Sequence, residues 1–109
     1  MVYRLVRGCP KPDEFPELRE RIDTGEIEQM NPFGRAMTTS LNNARFDPDT
    51  GEAVWVEEDY CTPPLAMERE VLGQYFDDLV VVEENVRETE GWERIEKYPP
   101  LWDEIAGEA

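Results

Sequence analysis

The order in which strand-like and helix-like patterns follow one another limits the fold of this chain more than any other feature of its sequence. Alternating apolar residues predict strands, whereas apolar residues spaced by three or four positions predict helices. By these criteria the chain reads as strand, helix, strand, strand, helix and strand, over residues 2–7, 13–22, 36–46, 53–56, 62–76 and 79–87. This order favours an α+β domain built on one sheet.

A turn signal at residues 45–52 predicts a hairpin between the second and third strands. Pro48 favours the second position of a turn, and Gly51 can adopt the left-handed conformation that such a turn needs. The spacing of Asp47 and Asp49 also resembles the start of a calcium-binding loop. Such a loop needs an oxygen ligand at its fifth position, where this chain has Gly51. These residues therefore predict a turn and not a calcium site.

The order of elements matches the ferredoxin-like, split βαβ plan, a four-stranded antiparallel sheet with its helices on one face. We expect residues 1–88 to form this βαββαβ core, and residues 89–109 to form a Trp-rich C-terminal extension of the same single domain. Within the extension, residues 92–98 are predicted to add a short strand, and Pro99 and Pro100 to introduce a last short helix. The other face of the sheet is then solvated, covered by the extension, or used in an oligomer.

The C-terminal extension concentrates large apolar side chains among acidic residues. Trp and Tyr dominate the energetic hot spots of protein interfaces, so a tail of this composition can anchor a partner. The favoured alternative is that it packs back onto its own domain. This candidate interaction surface comprises Trp92, Ile95, Tyr98, Leu101, Trp102 and Ile105.

Acidic residues outnumber basic residues so strongly that some condition must relieve the charge. The chain has 26 Asp and Glu against 11 Lys and Arg, a formal net charge of −15. Repulsion of this size destabilises a compact chain in dilute buffer, whereas molar salt shortens the Debye length to about 3 Å. The composition is therefore typical of a salt-adapted, halophilic-like protein. It opposes binding to nucleic acid or to an anionic membrane, although mimicry of DNA toward a basic partner is an alternative.

The sequence offers little for catalysis. It has no His, which excludes mechanisms that use an imidazole, and no G-x-G phosphate loop. Carboxylates occur in runs at residues 57–59, 77–78 and 83–84. Adjacent residues on a strand point to opposite faces, so no run forms a shared site by itself. We expect a non-enzymatic protein that needs no cofactor.

The two cysteines, Cys9 and Cys61, form the candidate redox or metal site. In the split βαβ sheet we expect the first and third strands to be parallel central neighbours, so that both thiols lie at the C-terminal ends of these strands, close enough for a disulfide. Each also precedes a predicted helix N-terminus, whose dipole lowers the pKa of a thiol. The alternative is that both are small buried apolar residues in a reducing cytosol.

These observations predict a small acidic cytoplasmic protein that acts through protein contact, as a homodimer. The first alternative is a thiol-based redox or metal-binding protein that uses Cys9 and Cys61. A further alternative is a ligand-sensing domain or small enzyme with a carboxylate-lined cleft. Residues 1–7 lack the apolar stretch of a secretory signal, and no apolar run approaches the roughly 20 residues of a membrane-spanning helix.

Overall fold

The computed structural model describes residues 2–105, which form an α+β fold with five helices and a four-stranded sheet. Met1 and residues 106–109, which belong to the predicted domain, lie outside the described residues. The strands are β1 (Tyr3–Pro10), β2 (Arg45–Asp47), β3 (Glu52–Glu58) and β4 (Phe76–Val86). The helices are α1 (Phe15–Asp23), α2 (Gly34–Asn42), α3 (Arg69–Leu72), α4 (Glu88–Ile95) and α5 (Leu101–Glu104).

The sheet is antiparallel throughout, with the strand order β2-β3-β1-β4. The predicted hairpin is confirmed: β2 and β3 pair around a turn in which Gly51 has φ +78°. The predicted last strand is also confirmed, as β4. Because β3 is antiparallel to β1, the C-terminal ends of these two central strands lie at opposite ends of the sheet, measured along the strands.

Both faces of the sheet are covered. The first face carries Val6 and Trp55, which pack in a large cluster with apolar residues of α1, α2, α3 and α5. The second face carries Leu5 and Val56, which pack with Ile95 of α4. Alternation of side chains along each strand produces this division. Helices therefore lie on both faces, which corrects the expectation that they lie on one.

Three element predictions are wrong or incomplete. Residues 36–46 were predicted as a strand, but most of them form α2, because Met37 and Leu41 fit a helical spacing as well as an alternating one. Residues 92–98 were predicted as a strand, but α4 and the turn after it occupy them; acidic residues in the first turn of α4 favour the helix. The helix predicted over residues 62–76 is much shorter in the structure, where α3 spans Arg69–Leu72.

Helix α2 lies beside the free edge of β3. Strand β2 pairs with residues 52–54, and no other strand of the described residues 2–105 lies on that side of β3. Ser40 of α2 is buried there and donates a hydrogen bond from its Oγ to the Val56 carbonyl at 2.6 Å. A helix that covers a strand edge and satisfies its carbonyls prevents further strand pairing. Within residues 2–105, no helix has the length and apolar character needed to cross a membrane.

Candidate cation-binding cleft

A cleft of about 630 Å³ opens where β3 extends past its short partner β2. Its lining comes from α2 and the segment before it, from the start of α4, and from the end of β3 with the loop that follows. A volume of this size is typical of pockets that bind small molecules. The position is set by the late start of β2 at Arg45, which leaves a gap beside the end of β3.

Aromatic rings and carboxyl groups dominate the chemistry of the lining. The aromatic side chains are Tyr3, Phe33, Tyr60 and Trp92. The acidic side chains are Glu58, Asp59, Glu68 and Glu88, and among the described lining residues Arg35 alone is basic. A cleft of this composition attracts cations both through its charge and through the negative faces of its rings.

Two of the carboxyl groups form the rim of the cleft. Glu88 is exposed in the first turn of α4, and Glu58 is half-buried at the end of β3. Tyr60 donates a hydrogen bond from its Oη to Glu58 Oε2 at 2.6 Å, and this bond raises the pKa of Tyr60. The ring of Tyr60 is 62% exposed. The rim therefore presents an aromatic ring and carboxylates directly to solvent.

Asp59 organises the floor of the cleft and is buried. Its Oδ2 accepts hydrogen bonds from Arg4 Nε at 3.1 Å and from the Leu65 backbone at 2.7 Å, and its Oδ1 accepts one from the Cys61 backbone at 3.1 Å. Burial alone would raise the pKa of Asp59, but these hydrogen bonds outweigh it and lower the pKa. Leu65 itself has φ +64°, so the chain turns here and the predicted helix cannot start at Thr62.

Cys61 and Glu68 complete the floor beside Asp59. Cys61 Sγ lies 3.6 Å from Glu68 Oε1 as a hydrogen-bond donor. Burial, with the charge of Asp59, raises the pKa of Glu68. A hydrogen bond from the Met67 backbone lowers the pKa of Cys61, but burial and the neighbouring carboxylates raise it further than that bond lowers it. The surroundings therefore oppose ionisation of both the thiol and the Glu68 carboxyl.

Glu57 lies behind the floor and is fully buried. Trp55 donates a hydrogen bond from its Nε1 to Glu57 Oε1 at 2.8 Å, while Oε2 has no hydrogen-bond partner among residues 2–105. Burial raises the pKa of Glu57 to about 8; the Trp55 bond opposes this shift, and the charges of Glu68 and Asp59 add to it. A carboxyl group that is neutral and half-satisfied in an apolar interior is costly unless something else binds it.

The expectation that Cys9 and Cys61 lie side by side is wrong. Tyr3 pairs with Glu58 and Gly8 pairs with Ala53, so Cys9 is at the far end of β1 from Cys61. At about 3.3 Å per residue the separation along the strand is about 20 Å, far beyond disulfide reach. The reason is topological: the first crossover makes β2 run parallel to β1, and the hairpin then reverses β3. The expected lowering of the thiol pKa is also wrong, since burial and nearby acids raise that of Cys9 too.

The candidate interaction surface of the C-terminal extension is divided among three places. Ile95 packs on the second face of the sheet and Leu101 in the first-face cluster, and both are buried. Trp92 lines the cleft, and Trp102 donates a hydrogen bond from its Nε1 to the Leu41 carbonyl at 2.8 Å. Tyr98 and Ile105 are half-buried against the two clusters. The six side chains do not form one continuous surface.

Sequence reasoning missed the assembly of Glu57, Asp59 and Glu68, although two of them stand in an acidic run that it noted. The signal that could have identified them is the alternation Trp55, Glu57, Asp59. Alternate residues lie on one face of a strand, so two carboxyl groups follow Trp55 on the apolar face of β3. Arg4 in the middle of an apolar strand is the matching signal for a buried countercharge. Glu68 had no local signal, because it reaches the floor from across a loop.

Comparison of the chain with known protein families, curated proteins and solved structures finds no match in any of the three.

Proposed function

We propose that the protein binds a small organic cation, an amine or quaternary ammonium compound, in the cleft. The observation that carries this proposal is the joint lining of the cleft by aromatic rings and carboxyl groups. A cation placed over Trp or Tyr gains about 0.5–2 kcal/mol per favourable contact, and more as water is excluded. The carboxylates at the rim, Glu58 and Glu88, supply the countercharge. This gives a specific form to the ligand-sensing alternative raised by the sequence.

Binding, and not catalysis, is the role that the floor of the cleft supports. A nucleophilic thiol must ionise, and the surroundings of Cys61 raise its pKa. Glu57 is fully buried behind the floor, away from a substrate in the cleft. The rim, by contrast, offers solvent-accessible groups that a ligand can reach without rearrangement of the core.

The test is a calorimetric titration of the protein with choline and with spermidine, against 3,3-dimethylbutan-1-ol as an uncharged choline analogue. We expect the two cations to bind and the alcohol not to bind. Glu88→Gln should weaken cation binding by roughly fivefold, the effect of about 1 kcal/mol of lost charge attraction. Glu90→Gln is the matched control, because it removes the same charge from the same turn of α4 outside the cleft lining. Equal binding of the alcohol, or equal effects of the two variants, contradicts the proposal.

The homodimer expected from the sequence remains a second proposal, now with a specific surface. The outer edge of β4 pairs with no strand of residues 2–105, and Val80 and Val82 on it are 51% and 44% exposed. An unpaired strand of this length can pair with the same strand of a second copy.

The ferredoxin-like plan is likewise our proposal for the finer classification of the fold. What supports it is the strand order, in which β3 lies between β1 and β2, and β1 lies between β3 and β4. That interleaving is what the term split βαβ describes. Helix α2 and the cover that α4 provides for the second face are additions to the plan.

A further inference from the structure

We propose that Asp59, Cys61 and Glu68 bind a divalent metal ion of the zinc class at the floor of the cleft. One sulfur and two carboxylate oxygens of these residues lie within 4.8 Å of one another. This site is separate from the organic-cation site, which depends on the rim residues Glu58 and Glu88. Each can therefore exist without the other.

The loop that carries the ligands is already held in place. Asp59 Oδ2 accepts hydrogen bonds from Leu65 and Arg4, which fixes its carboxylate. Arg4 also donates to the Cys61 carbonyl at 3.0 Å, which fixes the backbone that carries the thiol. Hydrogen bonds from such outer partners orient the ligands of many metal sites. The loop therefore need not be ordered by the metal itself.

The ligand atoms retain free lone pairs. Asp59 Oδ1 accepts one hydrogen bond, from the Cys61 backbone, so it keeps capacity for a metal. Cys61 Sγ and Glu68 Oε1 contact one another at 3.6 Å, and an ion between them would replace that contact. In this step the S–H bond breaks, an S–metal bond forms, and the proton leaves to solvent. Any proton on Glu68 leaves in the same way, and no electron is transferred.

Glu57 provides the second, independent indication of a ligand. Within the described part of the chain its Oε2 has no hydrogen-bond partner, although the side chain is fully buried. Glu57 and Asp59 are two residues apart along the same strand direction, so their side chains lie on the same side of the sheet. Trp55 fixes the other carboxyl oxygen of Glu57. A water molecule bound to the metal would give Oε2 the partner that it lacks.

The donor set selects the class of metal. A thiolate with two carboxylates favours Zn²⁺ and its spectroscopic substitute Co²⁺ over Mg²⁺ and Ca²⁺, which prefer sites made only of oxygen. Three protein ligands leave one position of a tetrahedral ion open for water. The ion itself would enter from the cleft, because Asp59, Cys61 and Glu68 all line it.

The test is a titration of the full-length, chelator-treated and reduced protein with Co²⁺, followed by absorption spectroscopy. We expect one equivalent to give a near-ultraviolet thiolate-to-cobalt charge-transfer band with visible d–d bands of tetrahedral intensity. Zn²⁺ should abolish these bands in equimolar amount, and excess Mg²⁺ should not. Cys61→Ser should lose the charge-transfer band. Cys9→Ser is the matched control, because Cys9 lies at the far end of β1 from Cys61, and it should keep the band.

Glu68→Gln gives a second measurement that does not depend on the thiol. It should keep the charge-transfer band but weaken Co²⁺ binding by roughly tenfold or more, because it removes an anionic ligand. Glu88→Gln should leave Co²⁺ binding unchanged, which separates this result from that of the organic-cation titration. A band that survives in Cys61→Ser, or the absence of any band in the unmodified protein, overturns the proposal.

Discussion

Three neighbouring carboxyl groups lie at and behind the floor of the cleft, and the buried guanidinium of Arg4 is hydrogen-bonded to one of them, Asp59. Asp59 accepts hydrogen bonds from Arg4 and from two backbone amides, and its pKa is lowered. Glu57 accepts a hydrogen bond from Trp55 and Glu68 accepts one from Cys61, but burial has the larger effect and raises the pKa of each. Carboxyl groups that lie close together therefore have pKa values shifted in opposite directions, because their hydrogen-bond donors and burial differ.

Glu57→Gln tests this at the level of one residue. Burial raises the pKa of Glu57 from the ordinary value of 4.5 to about 8. Between these values the folded protein keeps a proton that the unfolded chain releases, so the free energy of unfolding falls as the pH rises through this window. Each unit of pH is worth on the order of 1 kcal/mol at most for one group. Glutamine, which mimics the neutral acid, should remove this share of the pH dependence.

The measurement is urea unfolding of chelator-treated protein across the window, at constant high salt. Glu58→Gln is the control, because it removes an adjacent carboxyl group but keeps Glu57, and it should retain this share of the pH dependence. If the unfolding free energy of Glu57→Gln varies with pH as steeply as that of the unmodified protein, Glu57 is ionised in the folded state and our account of its burial is wrong.

At the level of elements, α4 is the helix whose packing closes the second face of the sheet. It contacts β3 so closely that Gly91 has no room for a side chain: an added Cβ would lie 2.8 Å from Val56 Cγ2 and 3.2 Å from Val86 Cγ2. Val is stiff at χ1 and cannot easily move aside. The short distance between α4 and the sheet therefore requires glycine at position 91. This close packing lets α4 bring Glu88 and Trp92 to the cleft.

Gly91→Ala should therefore destabilise the protein by about 1–3 kcal/mol through overpacking. On an open helix surface the same change stabilises by about 1 kcal/mol, so the sign of the effect is diagnostic. Thr89→Ala, at an exposed position of the same helix, should be near neutral or slightly stabilising. Denaturant unfolding of the two variants and of the unmodified protein measures both effects.

A double-mutant cycle identifies the contact responsible. Combining Gly91→Ala with Val56→Ala should recover part of the loss, giving a coupling energy of roughly 0.5–3 kcal/mol. Strictly additive effects of the two substitutions are incompatible with a direct contact between α4 and β3 at this point.

In the whole molecule, the net charge and the free edge of β4 have opposite effects on the association of two copies. The formal charge of −15 opposes association of two copies, whereas the exposed valines favour it. The apolar segment of β4 is flanked by residues 77–78 and 83–84, all four of them acidic and exposed. Antiparallel pairing of two such edges brings the acidic ends of the two copies together. Association through this edge should therefore depend on salt.

Sedimentation velocity in increasing KCl tests the prediction. We expect a monomer at about 0.1 M salt, where the Debye length is about 10 Å, and a dimer as the salt concentration becomes molar. Val82→Lys should keep the protein monomeric at all salt concentrations. Met67→Lys is the control, because it changes an exposed apolar residue away from β4 and should leave the dimer intact. Dimerisation of Val82→Lys equal to that of the unmodified protein would exclude β4 as the interface.

Local chemistry explains the parts of this protein that its sequence determined by itself. Turn residues and periodicity, which act over a few positions, predict the hairpin at residues 45–52, strands β1 and β4, and helix α1. The large acidic charge follows from composition. The strands predicted over residues 36–46 and 92–98 are wrong, because a few apolar residues fit both a helical and an alternating spacing. In such cases packing against the sheet, and not local preference, selects the structure.

The cleft, in contrast, was decided by tertiary structure alone. Its floor joins Arg4 of β1, Asp59 after β3 and Glu68 beyond a loop, and no local pattern reports contacts between positions so far apart in the chain. The separation of Cys9 from Cys61 has the same origin, since it depends on the direction of β3 relative to β1. Strand direction is a property of the whole chain path, so the chemistry of this protein became visible only when that path was known.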